Sequence, residues 1–158
     1  MARKILVWLI FGGMAIVFIL AYLNKNVLND FISIQMKKMT DTETNLTAEE
    51  LVDSKYNYEK NGLNYEFTLL EFGSTGCTIC KRMEGELAKI KSSNPNSINV
   101  AFLNTTQPEN QNLVKYFGIA AIPMQVLLDK NGTEFFKHYG FISAEDLIAK
   151  TLENTTKE

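Results

Sequence analysis

The chain has 158 residues, is 46% hydrophobic and carries a formal net charge of −2 at pH 7. That length accommodates one compact domain and an additional segment, and the apolar content is sufficient for a packed core. Setting aside Arg3 and Lys4 leaves 14 basic and 18 acidic residues, and this acidic balance excludes a nucleic-acid-binding protein.

The N-terminal segment predicts a membrane span. Nineteen residues from Ile5 to Leu23 carry no charge, and a helix of that length rises roughly 28 Å, about the thickness of the bilayer hydrocarbon. Arg3 and Lys4 precede the span, so the positive-inside tendency places the N-terminus in the cytoplasm. The residues after Leu23 are therefore expected on the exocytoplasmic side.

Two alternatives compete with an uncleaved anchor. A cleaved signal peptide has a shorter apolar region and small residues before its cleavage site, whereas this run ends in the bulky Leu20, Tyr22 and Leu23. A buried helix of a soluble domain would need protein on every side, which the rest of the chain can hardly supply. The pattern favours the anchor.

The remaining chain divides into a stalk and a folded domain. Residues 24–46 are polar with scattered apolar positions, which predicts a stalk that is partly helical near the membrane. Thr47 and Glu50 form a capping-box pattern ahead of a short helix, so the domain is expected to span residues 47–158, after the anchor at 1–23.

Alternating strand and helix patterns predict an α/β domain. An apolar strand precedes an amphipathic helix, and a second such pair follows, which favours parallel strands. A hairpin and a capped helix complete the pattern. The predicted elements are strand 65–73, helix 78–91, strand 97–105, helix 108–118, two strands joined by the turn at 130–132, and helix 143–154.

Cys77 and Cys80 are the only cysteines of the chain, and they stand at the start of the first predicted helix of this domain. Residues three apart there lie on one face, close enough for a disulfide. The helix N-terminus stabilises a thiolate at Cys77, and such sites bring a thiol pKa from about 8.5 to roughly 3.5–7.5. Cys77 is expected to be the nucleophile and Cys80 the resolving thiol.

A metal site and a structural disulfide are the other interpretations of this pair. A structural metal needs about four ligands, and the chain offers only these cysteines and the distant His138. A disulfide in so small a loop constrains the unfolded chain little. Redox chemistry without a metal or cofactor is therefore favoured.

Three stretches resemble the thioredoxin family, over roughly residues 63–154. "LLEFGSTGCTICKRM" is similar to the family's strand, active-site turn and helix, "YFGIAAIPMQVLLDKNG" to its cis-proline strand and hairpin, and "HYGFISAEDLIAK" to its ending. The resemblance implies a thioredoxin-like fold, a central mixed sheet flanked by helices, preceded here by the transmembrane helix.

The resemblance also implies the roles of individual residues. Cys77 and Cys80 would be the catalytic, redox-active pair, and Ile122–Pro123 would be the cis-proline bond. Gly76, Ile122, Pro123 and Gly140 fall where the family contacts its substrate, and the backbone of Ile122 could pair with an extended peptide.

Glu71 stands six residues before Cys77, where thioredoxins carry a buried acid. Burial raises the pKa of a carboxyl group, so Glu71 would hold a proton near neutrality and act as acid or base for Cys80. The alternative is a partly exposed glutamate at the end of the sheet. The cost of burying a carboxylate without a purpose favours the catalytic role.

Several residues depart from the common thioredoxin pattern: Thr78-Ile79 replaces Gly-Pro, Gly76 replaces a tryptophan, and Phe102 replaces a lysine. Together with the anchor, they resemble membrane-bound bacterial thioredoxin-like proteins. We therefore expect a single-pass protein of the bacterial cytoplasmic membrane.

The expected activity is that of a thiol-disulfide oxidoreductase acting on exocytoplasmic protein disulfides. Reduction is the expected direction, and an integral-membrane electron donor of the cytochrome c biogenesis type would re-reduce the pair, since the outer compartment is oxidising. The alternatives are an oxidase or isomerase of the same fold, and a redox-inactive adaptor that binds a partner protein.

Overall fold

A computed structural model describes residues 2–93 and 98–156, with side chains from residue 7 onward. The helices are α1 Ala2–Leu23, α2 Lys25–Met39, α3 Thr42–Tyr56, α4 Tyr58–Asn61, α5 Thr78–Ser93, α6 Gln111–Tyr116 and α7 Ala144–Thr155, with a 3-10 turn at Pro108–Asn110. The strands are β1 Phe67–Gly73, β2 Ile98–Asn104, β3 Met124–Asp129 and β4 Glu134–Tyr139.

The four strands form one mixed sheet in the order β2-β1-β3-β4. β1 pairs with β2 in parallel, and the β1–β3 and β3–β4 pairs are antiparallel. A parallel pair needs a crossover, which α5 supplies, whereas the antiparallel β3 and β4 need only a short turn. This is the predicted fold class, a central mixed sheet flanked by helices.

Successive residues of β1 enter two separate cores on opposite faces of the sheet. Leu70 and Phe72 pack with residues of α3 and α6. Leu69 packs on the other face with Met83 and Ile90 of α5 and with residues of α7. Because both faces are covered, β1 is buried from its second residue to its last.

One predicted helix start is wrong. α3 begins at Thr42, and the side chain of Asp41 accepts the N-cap hydrogen bond from the Thr44 amide. Thr47 therefore lies inside the helix, where its hydroxyl donates to the carbonyl oxygen of Glu43. The capping-box pattern of Thr47 and Glu50 therefore lies within α3 and does not mark its start.

The segment at residues 24–46 contains α2 and the start of α3, and part of it contacts the folded domain. Ser33 is 3% exposed, and Lys37 forms a 2.7 Å ion pair with Glu134. Gly118, at φ 61°, lies so close that a Cβ there would collide with the Ser33 carbonyl oxygen. The division of the chain at residue 46 stays a prediction.

The N-terminal helix presents apolar side chains to its surroundings. Every described side chain of α1, from Val7 to Leu23, is exposed. Among the described residues, no single helix is both long and apolar enough to cross a membrane. Val7–Leu23 and Lys25–Met39 satisfy length and composition together, with a bend of 73° between them.

Candidate functional site at the head of helix α5

Cys77 and Cys80 form a disulfide, with their Cα atoms 5.2 Å apart. Cys77 directly precedes α5 and is half-buried, whereas Cys80 lies in the first turn and is 4% exposed. The Cys77 sulfur accepts a hydrogen bond from the Cys80 amide at 3.1 Å. The Cys77 sulfur therefore reaches the surface beside the helix N–H groups, and the Cys80 sulfur is buried.

The local backbone explains this placement. β1 ends at Gly73, and the Cys77 amide then donates to the carbonyl oxygen of Ser74, which closes a turn. The Lys81 amide donates in turn to the carbonyl oxygen of Cys77, which begins the helical pattern. A strand, a tight turn and a helix thus fix the cysteines at the sheet's edge.

Gly73 provides space for the buried sulfur. A Cβ at this position would lie 3.2 Å from Cys80 Sγ and 2.9 Å from Cε2 of Phe102. Phe102 stands on β2, at the position where the common thioredoxin pattern has a lysine. The Phe102 ring and the Cys80 side chain therefore occupy the space that a side chain at position 73 would need.

Glu71 is almost completely buried, at 1% exposure. It pairs in register with Phe102 on β2 and Gln125 on β3, and the Gln125 Nε2 donates to Glu71 Oε2 at 2.9 Å. Burial raises the pKa of Glu71 to about 8, and the hydrogen bond from Gln125 opposes that rise. The alternative of a partly exposed glutamate is therefore wrong.

The other predicted site residues lie at the same edge of the sheet as the cysteines. Met124, the first residue of β3, pairs with Phe72 near the end of β1, so Pro123 adjoins that edge. The Ile122–Pro123 peptide bond is cis, as the resemblance implied. The amide of Gly140, after β4, donates to the Pro123 carbonyl oxygen at 2.9 Å, and Gly76 is exposed on the loop after β1.

No cluster of metal ligands accompanies the cysteines within residues 2–93 and 98–156, since no group of three or more His, Cys, Asp or Glu side chains there could hold a metal ion. His138 lies on β4, and its Nε2 is 3.3 Å from the carbonyl oxygen of Phe141.

Residues 55–155 match the family model described as a thioredoxin-like domain, which covers more than half of the chain. The chain belongs to this thioredoxin-like family. Its membership agrees with the strand, cysteine turn, helix and cis-proline strand described above.

Two curated relatives have names that mention thioredoxin-like or thiol:disulfide chemistry. The thioredoxin-like protein HCF164 of Arabidopsis thaliana is 25% identical over 95 residues, covering 60% of this chain and 36% of the relative. A thiol:disulfide interchange protein TxlA homolog of Synechocystis is 34% identical over 73 residues, covering 46% and 41%. The matched segment thus spans well under half of either relative's length.

Solved structures show the same fold. The malaria parasite's thioredoxin-2, described as a component of its protein secretion machinery, superposes with a TM-score of 0.52 at 24% identity, covering 59% of this chain and 95% of that one. The exposed lipoprotein thioredoxin Etrx1 of Streptococcus pneumoniae gives 0.50 at 18% identity, covering 59% and 87%.

The sequence reasoning missed two contacts of this thioredoxin-like site. Gln125 is the only polar residue in the interior of β3, and a polar residue within an otherwise apolar strand was the signal that could have identified it. Arg82 of α5 lies over the ring of Phe141, with its guanidinium carbon 4.6 Å from the ring centroid. That contact depends on a loop conformation that no sequence pattern indicates.

Burial of Glu71 predicts a pH dependence of stability. Its folded pKa of about 8 exceeds the ordinary value of 4.5, so the stabilisation is complete below pH 4.5 and is lost as the pH rises through 8. Across that window we expect the free energy of unfolding to fall by up to about 1.4 kcal/mol per pH unit.

Urea denaturation at a series of pH values measures this slope, with Glu71→Gln as the matched uncharged control. The variant should lack the fall between pH 5 and 8. An equal slope in the two proteins would show that Glu71 is not the group responsible.

Proposed function

We propose that this thioredoxin-like protein is a membrane-anchored thiol-disulfide oxidoreductase that acts on exocytoplasmic protein disulfides. The observation that carries the proposal is the asymmetry of the cysteine pair. Cys77 is partly exposed and its sulfur accepts a helix N–H, whereas Cys80 is buried behind it. A thiolate is stabilised and accessible at the first position, and a second thiol is held within reach of it.

In the reductive direction, the Cys77 thiolate attacks one sulfur of a substrate disulfide. A Cys77–substrate disulfide forms, and the other substrate sulfur leaves as a thiolate that takes up a proton. Cys80 gives up its proton and attacks Cys77 Sγ, and the second substrate sulfur leaves as a thiolate that takes up a proton from solvent. The two electrons of the dithiol pass to the substrate, and the Cys77–Cys80 disulfide remains.

Glu71 is proposed to accept the Cys80 proton in the second step. Its raised pKa allows the carboxyl group to gain and lose a proton near neutral pH. Glu71 shares its face of the sheet with Gly73, the residue whose Cβ position adjoins Cys80 Sγ. The carboxyl group therefore lies on the buried side of the pair, where the resolving thiol is.

Gly76, Ile122, Pro123 and Gly140 are proposed to form the substrate-binding surface. They lie at the sheet edge that also holds the cysteines, and the two glycines have no atom within 4 Å of an added Cβ. An extended peptide can approach the backbone closely at such positions.

Reduction is the proposed direction. The name of the Synechocystis relative, a thiol:disulfide interchange protein, supports disulfide exchange. In an oxidising compartment a reductase must receive its electrons from elsewhere, so we propose an integral-membrane donor of the cytochrome c biogenesis type. Tethering beside that donor would raise its effective concentration.

The anchor is proposed from the exposure of α1. Its apolar side chains from Val7 to Leu23 are uncovered by the rest of the described chain, and lipid would cover them in a membrane. Arg3 and Lys4 would remain on the cytoplasmic side, with the cysteines outside.

Replacing the resolving thiol should trap the first intermediate. In Cys80→Ser, the mixed disulfide on Cys77 has no intramolecular thiol to release it, so a covalent adduct with a disulfide substrate such as oxidised insulin should accumulate. Non-reducing gel electrophoresis and mass spectrometry detect the adduct. Cys77→Ser is the matched control and should form far less; equal trapping in both, or none in either, would remove the catalytic assignment.

Membrane topology gives an independent test. A reporter enzyme that is active only after export, fused to the C-terminus, should be active in the full chain and recovered with the membrane fraction. The same fusion without residues 1–23 should be inactive and soluble. Activity confined to a reporter that functions in the cytoplasm would contradict the proposed orientation.

A further inference from the structure

Glu71 and Gln125 form a buried pair of side chains that share one hydrogen bond and leave two oxygens unsatisfied. Gln125 is 0% exposed, and its Nε2 donates to Glu71 Oε2 at 2.9 Å. Glu71 Oε1 and Gln125 Oε1 are both buried and have no hydrogen-bond partner. Unsatisfied buried polar atoms are costly, so this arrangement requires an explanation.

A single proton on Glu71 would satisfy both of these oxygens. In the neutral acid that burial of Glu71 favours, Oε2, which accepts from the amide, is the carbonyl oxygen and Oε1 is the hydroxyl oxygen. A carboxylic acid and a primary amide can then form a two-bond pair, in which the amide donates to the acid and the acid hydroxyl donates to the amide oxygen. A carboxylate in the same place retains only one of these bonds.

We propose that Gln125 is a positioning residue that orients Glu71 and fixes Oε1 as the oxygen that takes up and releases the proton. This inference rests on the proposed function, because the proton is the one that Cys80 exchanges. Gln125 lies two residues after Pro123 on β3, and Glu71 lies two residues before Gly73 on β1. The pair therefore connects the strand that begins at the proposed substrate surface to the strand that leads to the cysteines.

The surroundings leave Gln125 as the main polar neighbour of this carboxyl group. Phe102 flanks it from β2, Cys80 lies on the α5 side, and His138 on β4 pairs in register with Gln125. Burial raises the pKa of Glu71 and the hydrogen bond from Gln125 lowers it, and neither effect involves a charged side chain. His138 is the titratable group that an experiment must control for.

Gln125→Met tests the assignment, since methionine has a similar length but neither donates nor accepts as an amide does. The neutral acid loses two bonds to the amide and the carboxylate loses one, but the single bond to the buried charge is charge-assisted and its loss costs more. This agrees with the lowering effect that the Gln125 hydrogen bond has on the pKa of Glu71. The midpoint of Glu71, followed by the carboxyl carbon resonance in the oxidised protein, should rise by about one pKa unit. The rate at which Cys80 resolves the mixed disulfide on Cys77 should fall several-fold at pH 7.

A double-mutant cycle separates positioning from general structural damage. In a Glu71→Gln background, Gln125→Met should leave the pH profile of the resolution step unchanged, because the residue acts through Glu71. His138→Gln is the control for the neighbouring titratable group and should leave the Glu71 midpoint in place. An unchanged midpoint in Gln125→Met, or an equal loss of rate in both backgrounds, would overturn the proposal.

A second measurement needs no substitution at Gln125 and so avoids any folding defect. The side-chain amide resonances of Gln125 in the oxidised wild-type protein should titrate with the Glu71 midpoint, and Glu71→Gln should abolish that transition. Amide resonances that do not follow Glu71 would overturn the proposal. Neither resonance measurement requires activity, whereas failure of the proposed function would appear separately, as absence of the Cys80→Ser adduct.

Discussion

The central position of β1 is the constraint on which the site depends. This strand pairs with β2 on one side and β3 on the other, and a shift of one residue would exchange the side chains between its two buried faces. The observed register places Glu71 opposite Gln125 and Phe72 opposite Met124. The first pair buries a carboxyl group beneath the cysteine turn, and the second aligns the start of β3 with the end of β1.

Burial affects the Glu71 carboxyl group and the two cysteine sulfurs in different ways. It removes water from Glu71, which raises the carboxyl pKa into the neutral range. It also shelters Cys80, while Cys77 keeps access to the surface at the helix N-terminus. The fold thus separates an accessible sulfur from a protected one and places a carboxyl group of raised pKa on the protected side, as the proposed two-step disulfide exchange would require.

Local patterns in the sequence were enough to predict the strands, the main helices and the cysteine turn, because β1 is a nearly continuous apolar run and α5 has apolar residues at helical spacing. The last helix is capped, as its pattern predicted, with the Ser143 side chain accepting from the Asp146 amide. The predicted start of α3 was wrong because Asp41 caps the helix six residues before Thr47, which therefore lies inside it. The Glu71–Gln125 pair and the contact of Ser33 with Gly118 join residues far apart in sequence, so they depend on strand register and tertiary packing that a single sequence does not encode locally.

The equilibrium redox potential of the Cys77–Cys80 pair tests most directly whether this site is catalytic. Stabilisation of a Cys77 thiolate by helix N–H groups favours the reduced dithiol, which makes the disulfide easier to reduce. Equilibration with glutathione or dithiothreitol buffers, followed by thiol alkylation, gives the value. The account predicts a potential above about −300 mV, in the range of exchange-active pairs. A value well below about −300 mV, typical of structural disulfides, would contradict it.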